Sequence, residues 1–255
     1  MKPRTFNSGK AFFLLFILSA IVLIHACSKS NSYSSSNPQT TNSFVSVSNA
    51  SPSTTAYGVF SDTTSIYTAG TLAYGSTTGV SGANPYATIT SGKHIIKLTS
   101  VSNTIILDSS TNFTASGHYS YFAYDTGNVK TLALKDNLTP PSSGNAEVRF
   151  LNLSPNSQLV NLWLLHTDTT MKDSTSFTNV GYVGSSGIST DSLASFKTIT
   201  AGTYKVLINS NTDLNLFQND SVTFASGKIY TIYARGYLNT SNSADSLGLG
   251  VIQNY

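Results

Sequence analysis

The chain has 255 residues, with 14 Lys plus Arg against 11 Asp plus Glu, and only 10% of its residues are charged. Three of the bases, Lys2, Arg4 and Lys10, and none of the acids precede Cys27, so the chain from Cys27 onward carries 11 of each sign. A neutral chain without a basic cluster lacks the electrostatic footprint of nucleic-acid binding, and its single cysteine excludes an intrachain disulfide.

The first element in chain order is a targeting segment. A basic start followed by the apolar run AFFLLFILSAIVLI, Ala11 to Ile24, reads as the n-region and h-region of a secretory signal. The run is shorter than the ~20 residues of a spanning helix, and the CSKSNSYSSSNPQTTNS after it has no basic stop-transfer cluster. The junction Ile24-His25-Ala26-Cys27 resembles a bacterial lipobox, with His25 the one departure from that pattern. That resemblance implies loss of residues 1–26 and lipidation of Cys27. Acyl chains then make the membrane contact, at ~0.8 kcal/mol per buried methylene. Ser28 resembles the signal for onward transport to the outer membrane, and the sequence leaves the periplasmic and surface faces equally open. Residues 27–43, nearly all Ser, Asn, Thr, Gln and Pro after the cysteine, bury too little apolar surface to offset their chain entropy and read as a flexible tether.

From Phe44 onward the chain repeats itself once. VSVSNASP (Val45 to Pro52) answers VRFLNLSP (Val148 to Pro155), and ITSGKHIIKL (Ile89 to Leu98) answers ITAGTYKVLI (Ile199 to Ile208). ASGHYSYFA (Ala115 to Ala123) answers ASGKIYTIYA (Ala225 to Ala234), and LALKDN (Leu132 to Asn137) answers LGVIQN (Leu249 to Asn254). The order is the same in both copies, which places one domain at 44–138, a proline-led linker at 139–146 and a second domain at 147–255.

Both copies read as β. In the first, FVSVS, AYGVF, YATIT, HIIKLTSV, TIILD, YSYFAY and KTLALK are short runs rich in Val, Ile, Thr, Tyr and Phe, separated by turn residues. Seven such runs predict an antiparallel sandwich of immunoglobulin-like size, twice over. The glycines of SGKH and AGTY are expected to close hairpins. In Asn-x-Ser-Pro, Pro52 and Pro155 end a strand while Asn49 and Asn152 bond nearby backbone, so the motif reads as a structural corner.

VSNASP, VRFLNLSP, SGKHIIKL, AGTYKVLI and LALKDN together resemble the domain-of-unknown-function 4397 family, whose members often carry tandem β-domains on secreted proteins and lipoproteins. The likeness covers nearly all of 44–255 and rests on structural motifs. It implies the fold and brings no catalytic residues.

The inventory for chemistry is small: three histidines beyond the signal (His94, His118, His166), one glutamate (Glu147) and ten aspartates. His94 falls opposite Tyr204, His118 near Lys228, and His166 near Phe60 if Asp62-Thr-Thr is set against Asp168-Thr-Thr, so no histidine occurs in both copies. No Gly-x-Ser-x-Gly elbow and no phosphate loop is present. These observations predict a protein without catalytic activity, cofactor or metal. Eight of the ten aspartates precede Ser or Thr, where composition alone gives about three. Either these are turns, or six of the triplets are O-glycosylation signals, modified at Thr63, Thr169, Ser174, Ser192, Ser221 and Ser246. Trp163, in VNLWLLH, is set opposite Tyr57 and expected in the core.

The sequence therefore predicts a lipid-anchored cell-envelope protein, on the outer membrane, that binds or scaffolds an envelope protein or glycan. A glycan-binding lipoprotein of a nutrient-uptake system is the alternative, and a hydrolase with clustered carboxylates comes third.

Overall fold

Alternating apolar side chains in short β-branched and aromatic runs give strands with one face toward a core. The computed structural model describes residues 41–52, 56–79, 84–168, 170, 174–212 and 214–255. In the first copy these form β1 (Asn42–Asn49), β2 (Gly58–Ser61), β3 (Thr64–Ser65), β4 (Ala87–Thr90), β5 (Gly92–Thr99), β6 (Ile105–Phe113), β7 (His118–Tyr124) and β8 (Lys130–Asp136). The second copy has β9 (Asn145–Asn152), β10 (Val160–His166), β11 (Ser174–Val180), β12 (Lys197–Thr200), β13 (Gly202–Ser210), β14 (Asn215–Phe224), β15 (Ile229–Arg235) and β16 (Gly248–Gln253), with one short helix, α1 (Thr190–Ala194), between β11 and β12.

The copies correspond strand for strand. Sheet orders β4-β1-β7-β8 and β3-β2-β5-β6 in the first become β12-β9-β15-β16 and β11-β10-β13-β14 in the second. Both are all-β sandwiches, mostly antiparallel, with one parallel pair in each, β1 with β7 and β9 with β15. Each has its own core. Val45, Val47, Tyr119 and Tyr121 face Val59, Ile96, Leu98 and Phe113 in one. In the other, Val148, Phe150 and Ile232 face Leu162, Leu164, Val206 and Phe224.

A third core joins the copies. Phe122, Tyr124, Leu132 and Leu134, on the outer face of β7 and β8, pack against Leu151, Tyr233 and Ile252 of β9, β15 and β16. Four sheets are thus stacked, and the two middle ones are covered on both faces. This explains why every residue of β15 but Arg235 is buried, where a half-solvated strand would alternate. Gly250, opposite Tyr233, belongs to this contact: a Cβ there would enter the Tyr233 ring. Residues 40–255 form one compact unit, and residues 137–144 between β8 and β9 carry no strand.

Several expectations are corrected. Among the described residues each copy has eight strands, and the additional one, the two-residue β3 with its counterpart β11, carries too little apolar signal to be read. The glycines of SGKH and AGTY do not close hairpins: β4 pairs with β1 and β5 with β2, so the Ser91-Gly92 turn carries the chain from one sheet to the other. The pairing also moves the alignment of the copies. Trp163 pairs with Leu207 as Phe60 pairs with Lys97, so Trp163 answers Phe60 and His166 answers Thr63. Trp163 is half-buried on the outer face of β10, between buried Leu162 and Leu164, and is not a core residue. At the closing strands Asp136 answers Asn254, one residue away from the match of LALKDN to LGVIQN.

Candidate functional sites at the seam and in the first copy

The corner motif does one job twice. Asn49 and Asn152 each accept the backbone N–H of the serine two residues on, and donate to the carbonyls of Leu72 and Val180. Ser51 and Ser154 donate to the carbonyls of Asp125 and Gly236 at the end of the parallel neighbour. Both are structural corners.

The seam between the copies is polar at one end. Asp136 at the end of β8 and Arg149 on β9 form an ion pair at 2.7 Å, with side chains 0% and 1% exposed. Ser120 and Tyr86 donate to the other carboxylate oxygen at 2.6 and 2.7 Å. Arg149 Nε donates to Thr231 at 2.9 Å, Thr231 donates to Asn254, and Asn254 Nδ2 donates to the Tyr86 hydroxyl at 3.0 Å. The Phe196 ring lies 4.7 Å from the guanidinium carbon. Burial, reinforced by the Asp136 charge, pushes the Tyr86 phenol far above its ordinary range, so it serves as a fixed donor. Charges this deep are held only where partners meet them.

Outside this network lies a cleft of about 390 Å³, lined by Asn84, Tyr86 and His118 of the first copy and by Lys228, Gln253, Asn254 and Tyr255 of the second. His118 stacks on Phe44 at 4.6 Å and meets the edge of Tyr86 at 5.0 Å. Burial holds its imidazole below the ordinary value of 6.5, opposed in part by Asp136. Tyr255 is 46% exposed, and Lys228 Nζ sits 5.1 Å from its ring centre.

A second pocket, of about 320 Å³, opens in the first copy between β4 and the β2–β3 turn. Asp62, in that turn with φ +54, accepts Ile95 N–H at 2.9 Å on one oxygen and His94 Nδ1–H at 2.6 Å on the other. His94 Nε2 lies 3.1 Å from Thr90 Oγ1. A carboxylate only accepts, so Nδ1 carries the proton, and in the neutral ring Nε2 is left to accept from Thr90. The hydrogen bond from His94 holds the Asp62 carboxyl below its ordinary value of 3.8.

No sequence motif points to this trio, since Asp62 and His94 stand 32 residues apart, one in the β2–β3 turn and the other on β5. The third histidine, His166, accepts Asp168 N–H and meets the edge of Tyr204 at 4.8 Å. Among the described residues no group of three or more His, Cys, Asp and Glu side chains gathers as a metal site, and no helix is long and apolar enough to cross a membrane.

The Asp-Ser/Thr hydroxyls are scattered and do not form a site. Thr63, Ser174, Ser192 and Ser221 are exposed and Ser246 is half-buried, while Thr169 and Cys27 lie outside the described residues. Some of the aspartates do make turns: Asp168 accepts both the N–H and the hydroxyl of Thr170.

Fold and sites define a tandem β-sandwich protein with a cleft that both copies line. Residues 43–163 match the family described as domain of unknown function (DUF4397). No curated protein matches. Among solved structures, a leucine-rich repeat protein from Bacteroides thetaiotaomicron VPI-5482 is 12% identical over 75% of this chain and 25% of its own, with a TM-score of 0.22. The chain thus spans about a quarter of that protein. A structure titled "Alpha-glucan binding by a streptococcal virulence factor" is 10% identical over 75% of this chain and 92% of its own, with a TM-score of 0.21. Neither likeness carries an argument at these scores.

Proposed function

We propose that this is a lipid-anchored envelope protein, attached through Cys27 on the outer membrane, that binds a partner in the cleft at the seam of its two domains. The observation that carries this reading is the cleft's double origin: Asn84, Tyr86 and His118 come from one copy, Lys228, Gln253, Asn254 and Tyr255 from the other. Duplication supplies a concave polar surface that neither sandwich has alone, over walls fixed by the buried Asp136–Arg149 network. Convergent amides, an imidazole and an aromatic ring are the groups that orient a polar ligand.

A second reading makes the partner a glycan, as in a nutrient-uptake system. It is favoured by the exposed Tyr255 ring beside Gln253 and Asn84, because a ring face takes the apolar side of a sugar while amides take its hydroxyls. The exposure of Thr63, Ser174, Ser192 and Ser221 also suits O-glycosylation of the protein itself.

The test is a glycan array and envelope-protein titration with the detergent-solubilised full chain, beside Tyr255→Ala and Asn84→Ala. Saturable binding weakened at least about tenfold by either change, equal to ~1.4 kcal/mol, supports the cleft. Binding that both variants keep places the contact elsewhere. Metabolic labelling with a fatty acid, lost in Cys27→Ser, checks the anchor. An intact mass without hexose-sized increments removes the glycosylation.

A further inference from the structure

We propose that Thr90, His94 and Asp62 form a nucleophile, base and orienting carboxylate that hydrolyse small carboxylic esters in the pocket of the first copy. This goes beyond the binding role and departs from the expectation of no catalysis, which rests on motifs along the chain.

The geometry is that of an activated hydroxyl. Such a site needs a base within hydrogen-bond reach of the nucleophile and a third group fixing the base. Thr90 Oγ1 and His94 Nε2 are 3.1 Å apart, and His94 Nδ1 and Asp62 Oδ2 are 2.6 Å apart. Asp62 is itself fixed, because its carboxylate accepts Ile95 N–H and its own N–H donates to the Ile95 carbonyl at 2.8 Å. Lys97 is the other charge acting on this carboxylate. The pocket is lined by the exposed Thr90 with three further hydroxyl-bearing residues, Ser61, Thr64 and Thr88, beside the apolar Ile66 and Ile89; hydroxyl groups are donors of the kind a developing oxyanion needs.

The second copy shows that the fold does not require the trio. At the same corner Tyr204 stands where His94 stands and donates to the Thr200 carbonyl at 2.7 Å, while Leu165 occupies the place of Asp62. The strands pair in the same order with a buried aromatic ring, Tyr204, in the place of His94. Among the described residues this polar relay is therefore particular to the first copy.

In the reaction, Thr90 Oγ attacks the ester carbonyl carbon and gives its proton to His94 Nε2. The bond from carbon to the leaving oxygen breaks, and that oxygen takes the proton from His94 and departs as the alcohol. Water then attacks the acyl-threonine and loses a proton to His94. The acyl bond to Thr90 breaks, Thr90 regains a proton, and the acid leaves. The net change is ester plus water to acid plus alcohol, with Asp62 as a positioning residue throughout.

The full chain is treated with a fluorophosphonate, which loses fluoride to an activated hydroxyl, and separately assayed on p-nitrophenyl acetate. The expected adduct maps to Thr90 by peptide mass spectrometry and is absent from Thr90→Val, an isosteric change at an exposed position. His94→Gln slows ester hydrolysis about a hundredfold or more, and Thr90→Ser keeps it. Asp62→Asn slows it less, lowering kcat with KM unchanged, and Asp62→Glu, which keeps a carboxylate beside His94 Nδ1, recovers part of the loss; a merely structural Asp62 shows no such recovery. The proposal is overturned if Thr90 carries no more adduct than in a urea-unfolded control. It is equally overturned if folded Thr90→Val hydrolyses the ester at the parent rate, or if the adduct forms as fast in folded His94→Gln.

Discussion

At equivalent ends of the two sandwiches the same strands enclose different chemistry. The first copy places His94, Asp62, Thr111 and the Tyr121 hydroxyl there, and Tyr121 donates to Thr111. The second places Tyr204, Leu165, Val222 and Ile232 at the matching positions, and three of those four are apolar. Backbone ladders do not depend on which side chain points inward, so one copy can keep a dry core as framework while the other becomes polar and open. Burial pushes the Tyr121 phenol up to about 12, so its proton stays on as a donor at any physiological pH.

The largest test of how far the copies are independent is the seam. Asp136→Leu or Arg149→Met alone leaves a buried charge without its partner and should cost ~3–5 kcal/mol, whereas the double variant should return to within ~1–2 kcal/mol of the parent or exceed it. Urea denaturation reads both. A single transition in the parent that splits in two in either single variant would show the seam to be what couples the domains.

Smaller effects should come from exchanging interiors. Thr111→Val strands the Tyr121 hydroxyl, and Val222→Thr buries a hydroxyl against Ile232, so each should cost ~1–3 kcal/mol. A cost for Val222→Thr alone would mean that the polar end of the first copy is already wet enough to satisfy Tyr121. At the corners, Ser51→Ala and Ser154→Ala each remove one donor to a strand-end carbonyl and should cost ~1 kcal/mol, with Ser51→Ala the larger because the Tyr57 hydroxyl that donates to Ser51 also loses its acceptor. Equal losses by thermal unfolding would show that the Tyr57 hydroxyl finds another acceptor.

The smallest effect is a pH dependence at the seam. The folded value of His118 lies below its ordinary 6.5, so folding disfavours its protonation. Its contribution is complete above about pH 6.5 and declines as pH falls through that value toward the lower folded one. His118→Gln should flatten that limb of a stability-against-pH curve, and an unchanged limb would assign it to other groups.

Much of the framework is legible in the sequence. Alternating Val, Ile, Tyr and Phe mark seven of the eight strands described in the first copy, and the repeated Asn-x-Ser-Pro marks a corner where the Asn accepts the Ser N–H and the Ser donates to the neighbouring strand end in both copies. Sequence and structure part where contacts across sheets decide. The Ser91-Gly92 turn resembles a hairpin locally, and only the pairing of β4 with β1 shows that it changes sheets. Trp163 reads as core because its neighbours are apolar, but period-two alternation puts it on the outer face.

The sequence by itself determined the β class, the duplication, the corners and the family likeness of residues 43–163, because strand period, turn chemistry and repeated motifs are local properties of a chain. Only the tertiary structure decided that the two sandwiches stack into four layers, that Asp136 and Arg149 are buried between them, and that Asp62 reaches His94. Those facts depend on which faces meet, and a face carries no record in sequence of what will cover it.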